Sequence, residues 1–148
     1  MSHEPTEYES DLVIDRVMLY KGRNSRYFNA ARKASMCSSS EEYKHGAVLV
    51  KGSAIVSVSS NKNSFCSFGS RFRTEQPGIA TLHAEIGCIL GIERSITDVA
   101  RLYVCRVGKN GDCRLSKPCP MCTAAMTHVG IRRVYWTLDN ETCAMGRL

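Results

Sequence analysis

With 148 residues, 43% hydrophobic and 23% charged, the chain has the size and balance of one globular domain with its own core. It holds no apolar run long enough to span a bilayer, and Met1 to Glu9 is polar and acidic rather than a secretory leader. Cytoplasmic residence with no membrane partner is therefore expected. The net charge is +6, yet Glu4, Glu7, Glu9, Asp11 and Asp15 all fall in a first stretch without Lys or Arg, so the body is strongly basic. A basic body favours an anionic partner, either a nucleotide phosphate or a nucleic-acid backbone. The plainer alternative is a solvated basic surface.

In chain order, Thr6 and Glu9 fit a capping box, and Leu12, Val13, Val17 and Met18 then recur at helical spacing up to Gly22. This predicts an N-terminal helical extension over 1–22, followed by a core over 23–148. Asn24 or Ser25 can cap a second helix that turns Tyr27, Phe28, Ala31 and Ala34 inward. Ser38 to Glu42 reads as a loop. Two apolar runs, Ala47 to Val50 and Ala54 to Val58, flank Lys51-Gly52-Ser53 and predict a hairpin. Asn61 to Ala80 lacks periodicity and reads as a long functional or mobile loop, with Phe65, Phe68, Arg71, Phe72 and Arg73 in it.

Thr81 can cap a helix running to about Glu93. Leu102 to Val107 reads as a strand, and Gly108 to Lys117 as a polar loop. Pro120 suits the first turn of a helix capped by Cys119 and ending near His128. Ile131 to Leu138 is a β-branched and aromatic strand, and Glu141 to Met145 can return antiparallel to it. Helices alternating with strands in this way predict an α/β fold, a mixed sheet covered by helices.

The chemistry is concentrated in His83-Ala84-Glu85 and Pro118-Cys119-Pro120-Met121-Cys122. Zinc accepts imidazole and thiolate, and a catalytic site keeps three protein ligands and one open position. His83, Cys119 and Cys122 supply three. Cys119 and Cys122 are three apart, hence on one helix face, in the first turn where free N–H groups and the helix dipole favour thiolate. Glu85 is near enough to reach the open position and move protons without being a ligand. The pairing H-x-E with P-C-x-x-C is the signature of zinc-dependent nucleobase deaminases. A zinc-stapled module without catalysis is the competing reading. It needs a fourth ligand, for which Cys88 is the nearest candidate, and it gives Glu85 no task.

Eight cysteines are many for this length. Without an export signal, the six outside the motif (Cys37, Cys66, Cys88, Cys105, Cys113 and Cys143) read as reduced and mostly buried thiols. A second, structural zinc could draw on His45, Cys37 and Cys66, although no tight C-x-x-C pair supports it.

On these residues the chain resembles the cytidine deaminase-like superfamily over roughly Tyr27 to Thr137. Gly46 to Val50 resembles the family's first strand. Asn61 matches the asparagine that holds substrate in many members, and Gly130 to Tyr135 resembles the strand entry after the second metal motif. The resemblance implies a three-layer α/β/α sandwich with a mixed four- to five-stranded sheet. It implies one catalytic zinc, Glu85 as proton shuttle, and substrate contacts from Asn61, Ala84, Ser116 and Pro118. It also implies a homo-oligomer.

Two departures stand out. The segment Gly108 to Lys117 is longer than in deoxycytidylate and tRNA adenosine deaminases. The stretch after Leu138 suits an antiparallel last pair of strands, as in the free-nucleoside cytidine deaminases, which however usually carry Cys where this chain has His83. Two activities remain open. One is hydrolytic deamination of cytosine in a free nucleoside or nucleotide, with Arg71, Arg73, Lys109, Arg114 or Lys117 available to a phosphate. The other is editing of a base in single-stranded nucleic acid, with Phe65, Phe68 and Phe72 available for stacking. Met121 and Ala124-Ala125-Met126 also resemble purine-deaminase sequences.

Overall fold

The structure is a computed structural model, and it describes residues 12–40, 43–72 and 81–148. Strand β1 (Ile14–Leu19) leads into helix α1 (Arg23–Ser35), and the hairpin of β2 (Lys44–Lys51) and β3 (Ala54–Ser60) follows. Next come β4 (Lys62–Phe65), the short helix α2 (Ser67–Ser70), β5 (Thr81–Leu82), α3 (Ala84–Ile89) and α4 (Arg94–Thr97). The chain closes with β6 (Arg101–Val107), β7 (Cys113–Arg114), α5 (Pro120–His128), β8 (Arg133–Thr137) and β9 (Thr142–Arg147).

The central sheet runs β1-β9-β8-β6-β2-β3, with β7 paired to β6 as a seventh strand. The expected mixed α/β sheet is present, but it is wider than four or five strands. β6 and β8 pair in parallel, as the crossover through α5 requires, and the other pairs in this sheet are antiparallel. The expected closing hairpin is β8 with β9, which pairs Arg133 with Arg147 and Thr137 with Cys143.

Side chains that alternate along each strand build two cores, one on each face of the sheet. Ala47 and Leu49 of β2, Leu102 and Val104 of β6, and Val134 and Trp136 of β8 meet α3 and α5. Val48, Val50, Tyr103, Cys105 and Tyr135 point the other way and meet Tyr27, Phe28 and Ala31 of α1. The sandwich follows from strands that are apolar on both faces. Gly46 lets α1 approach β2: a Cβ there would stand 1.9 Å from the Ala31 carbonyl oxygen. Gly52 turns the β2–β3 hairpin at φ 63°.

Several expected boundaries are corrected. The helix predicted across Leu12, Val13, Val17 and Met18 is the edge strand β1, antiparallel to β9 from Ile14↔Gly146 to Leu19↔Thr142. The four apolar positions satisfied a helical period, but the open edge of β9 offers a full hydrogen-bond ladder to a segment rich in β-branched residues. A register shift between Ile14 and Arg16 breaks strict alternation along the strand, which hid the strand period. Residues 1–11, including the Thr6–Glu9 capping box, lie outside the described residues.

The segment read as a loop from Asn61 contains β4 and α2 before the described residues break off. The helix expected from Thr81 starts two residues later. Thr81 and Leu82 pair with β4, His83 is the N-cap residue, and the helix closes at Leu90. The predicted helices with Tyr27, Phe28, Ala31 and Ala34 inward, and with Cys119 at the cap before Pro120, are both found, although Gly22 rather than Asn24 or Ser25 occupies the first cap position. Among the described residues no helix is long and apolar enough to cross a membrane.

Candidate active site

The site forms where two helices begin. His83 occupies the N-cap position of α3 and Cys119 that of α5, each with extended backbone. The hairpin-like pairing of β4 and β5 delivers His83, and Pro120 with its fixed φ starts the turn that brings Cys122 beside Cys119. The helices pack on the same face of the sheet, so their starts converge.

His83 Nδ1 lies 3.3 Å from Cys122 Sγ and 3.7 Å from Cys119 Sγ. The three ligand atoms all fall within 4.8 Å of one another, and no other such cluster occurs among the described residues. Zinc at ordinary bond lengths in a tetrahedron needs about 3.5 Å between nitrogen and sulfur and about 3.8 Å between sulfurs. The donor set therefore suits zinc in both chemistry and spacing. The Cys119 thiol is held down to about 4, first by the hydrogen bond from Cys122 and then by His83. Cys122, fully buried, is pushed up by the same bond and by desolvation. A metal dication binds cysteine as the thiolate and displaces its proton.

His45, Cys37 and Cys66 are not brought together as a second set. Cys37 is exposed and Cys66 accepts a hydrogen bond from the Gly69 N–H at the start of α2. Cys88 faces Ser57 O at 3.9 Å, outside the ligand cluster, and burial pushes its thiol up to about 12.

Glu85, in the first turn of α3, is 5% exposed and lines a cleft of about 380 Å³ together with His83, Ala84 and Cys119. Among the described residues the cleft is also lined by Ser40, Tyr43, His45, Asn61, Lys62, Asn63 and Thr81. Asn61 is therefore brought to the site, but its side chain already has work. Its Oδ1 accepts from the His45 N–H at 2.9 Å and from Ser38 Oγ at 2.5 Å, and its Nδ2 donates to Tyr43 O at 2.7 Å. These bonds tie the start of β2 to the end of β3.

Ser116 and Pro118 do not line the cleft. The Ser116 hydroxyl is buried, donating to Val104 O at 2.9 Å and accepting from the Thr137 N–H at 2.8 Å. The structure thus gives Ser116 a structural task, clamping the segment that enters the metal motif onto the sheet.

Arg71, Lys109, Arg114 and Lys117 are also absent from the lining, and Arg73 lies outside the described residues. Phe68 and Phe72 pack edge-on to each other, 5.2 Å apart, against the core beside α5. His45 and Lys62 are cleft residues that the sequence reading missed, along with Ser40, Tyr43, Asn63 and Thr81. The only signal was position: His45 opens the first central strand and Lys62 follows Asn61. Burial keeps the His45 imidazole below its usual range, with Glu85 opposing that shift.

Comparison with curated proteins gives no match to the chain. A family model does match: the cytidine and deoxycytidylate deaminase zinc-binding region covers residues 22–138, well over half of the sequence, and includes both metal motifs and Glu85. The chain belongs to the cytidine and deoxycytidylate deaminase zinc-binding family.

Proposed function

We propose that the protein is a zinc-dependent hydrolase that deaminates cytosine to uracil in a free cytidine or deoxycytidine nucleoside or nucleotide, releasing ammonia. The observation that carries this reading is the meeting of His83, Cys119 and Cys122 at ligand spacing, at a cleft of nucleoside size that His83, Cys119 and Glu85 line. His83, Cys119 and Cys122 would hold the metal. Zinc at such a site supplies a Lewis acid that lowers the pKa of water.

The chain's own residues do the rest. Glu85 sits where a carboxylate can take a proton from water and deliver it to the ring nitrogen and then to the departing amine. Its burial shields that traffic from bulk solvent. Ala84 presents a small surface beside the metal, leaving room for a flat base. Asn61 retains one amide N–H after its bond to Tyr43 O, and that N–H is available to the sugar. Lys62 at the cleft gives a charge for a 5′-phosphate. Ser116 and Pro118 act by fixing the backbone that leads to Cys119.

Two of the three phenylalanines expected to stack a strand, Phe68 and Phe72, pack against the core rather than forming an open platform, which supports a free substrate; the Phe65 side chain lies outside the described residues. Exposed Val13, Ile14, Val17 and Leu19 along the edge strand β1 support a homo-oligomer, and the free thiols support a reducing, cytoplasmic setting.

The test is ammonia release and product mass from zinc-loaded protein with cytidine, deoxycytidine, CMP, dCMP, adenosine, guanine and single-stranded DNA and RNA. Turnover of a free cytosine nucleoside or nucleotide, abolished in Glu85→Ala, is expected. Turnover of oligonucleotide alone would replace this reading with an editing one.

A further inference from the structure

A second cleft lies on the opposite face of the sheet, against α1. It has a volume of about 270 Å³ and is lined by Tyr20, Arg32, Cys105, Cys113 and Asn140 among others. Cys105 Sγ and Cys113 Sγ stand 3.7 Å apart in it. Cys105 is fully buried on β6, and Cys113 retains 8% exposure on the two-residue strand β7. The deaminase reading uses neither sulfur.

We propose that Cys105 and Cys113 are a site of reversible oxidation, closing to a disulfide in response to a peroxide and shifting β7 as they do so.

Three observations carry this. The sulfurs are already in contact and share a cleft large enough to admit a small oxidant. The pair is asymmetric: the hydrogen bond from Cys105 holds the Cys113 thiol down to about 6, with Arg32 helping, while Cys105 is pushed up by the same bond and by burial. The more exposed sulfur is thus the more nucleophilic one at neutral pH. Third, the register pairs Val107 with Cys113 and Arg106 with Arg114, so Cys105 and Cys113 are diagonal neighbours on one face rather than directly opposed. Bond formation needs the sulfurs to close to about 2.05 Å, which diagonal positions reach only if the backbone gives. β7 is the part that can give, being held to β6 by two register pairs.

The chemistry balances as two thiols and one hydrogen peroxide to one disulfide and two waters. The Cys113 thiolate attacks the peroxide O–O bond and becomes a sulfenic acid, with the first water leaving. Cys105 sulfur then displaces the hydroxyl, and its proton leaves in the second water. A thiol reductant reverses the bond. The consequence is directional: β7 is followed within a few residues by the Ser116 clamp and Cys119, so its displacement pulls on the backbone that enters the metal motif.

The test uses the full-length zinc-loaded protein exposed to hydrogen peroxide, then unfolded in denaturant with iodoacetamide so that the buried Cys105 thiol is reached, and digested without reduction. A Cys105–Cys113 linked peptide is expected, with loss of two alkylatable thiols that dithiothreitol restores. Amide exchange over Arg114 to Ser116 should change on oxidation while zinc content stays constant. In Cys113→Ser, Cys105 should remain alkylatable. Oxidation of exposed Cys37 while Cys105 and Cys113 stay alkylatable would overturn the proposal, as would Cys113 advancing to the sulfinic acid without a linked peptide. A linked peptide with unchanged exchange would overturn the shift of β7.

Discussion

The two faces of the sheet use the same kinds of residue to opposite ends. Against α3 and α5, a histidine and two cysteines meet at helix starts, where unpaired N–H groups and a nearby carboxylate make a polar, ion-ready hollow. Against α1, two cysteines meet between strands, among Tyr27, Phe28, Tyr103 and Tyr135, with no imidazole in the cluster. Tyr103 stacks on Tyr135 at 4.4 Å and 6°, and meets Phe28 edge-on at 5.2 Å. Both sulfur pairs hold one thiol down and push the other up. What separates them is the third donor and the secondary structure beneath. Helix starts aim several donors at one point, whereas strands lay side chains in parallel rows. The first arrangement suits a metal; the second suits packing and sets the two sulfurs against each other.

If this division is right, variants on the first face should cost metal and activity, and variants on the second should cost stability. Cys122→Ala removes one of three donors and leaves the other two beside a hole. Zinc measured by atomic emission should fall toward zero, and deamination with it. Glu85→Ala should lower kcat by about 10²- to 10⁴-fold with zinc content and melting temperature nearly unchanged. An unchanged rate would remove Glu85 from the chemistry. On the opposite face, Tyr103→Ala should destabilise by about 3–5 kcal/mol in denaturant titration, as for other large buried aromatics, while the folded fraction keeps its zinc.

Ser116→Ala sharpens the comparison, because the residue was expected at the substrate and lies in the core. Loss of its bonds to Val104 and Thr137 should cost about 1–3 kcal/mol of stability. A large rise in KM with no loss of stability would return Ser116 to substrate binding. The smallest effect is expected from Tyr103→Phe, which gives up only the hydrogen bond to Asn24 Oδ1 at 2.9 Å, about 1 kcal/mol, and keeps the ring stack.

Much of the site was legible before the structure. His83, Glu85, Cys119 and Cys122 declare themselves because metal chemistry restricts which residue types occur at which spacing, and Pro120 marks the helix start that such spacing needs. Asn61, expected at the substrate, lines the cleft, yet its bonds to Ser38, Tyr43 and His45 could not be read. They join residues far apart in sequence through the Ser38 hydroxyl and the Tyr43 and His45 backbone, none of which carries a compositional mark. His45 was legible only as an isolated histidine. That it faces Glu85 depends on which side of β2 points toward α3, and a slip of one residue would reverse it.

By itself the sequence determined the alternation of helices and strands, the two-faced apolar character of β2, β6 and β8, and the identities of the candidate metal donors. Each of these is a local property, set by side-chain chemistry and by spacing along the chain. Tertiary structure decided that Ile14 to Leu19 pairs as an edge strand rather than coiling, because the hydrogen-bond partners on β9 are supplied from the far end of the chain. It decided that Ser116 turns into the core, because Thr137 and Val104 meet there only once β6 and β8 lie in register. It also brought Cys105 and Cys113 into contact through a two-residue strand too short to leave a period in the sequence. Local pattern sets what each segment can become, and the unsatisfied backbone groups of distant segments select among those options.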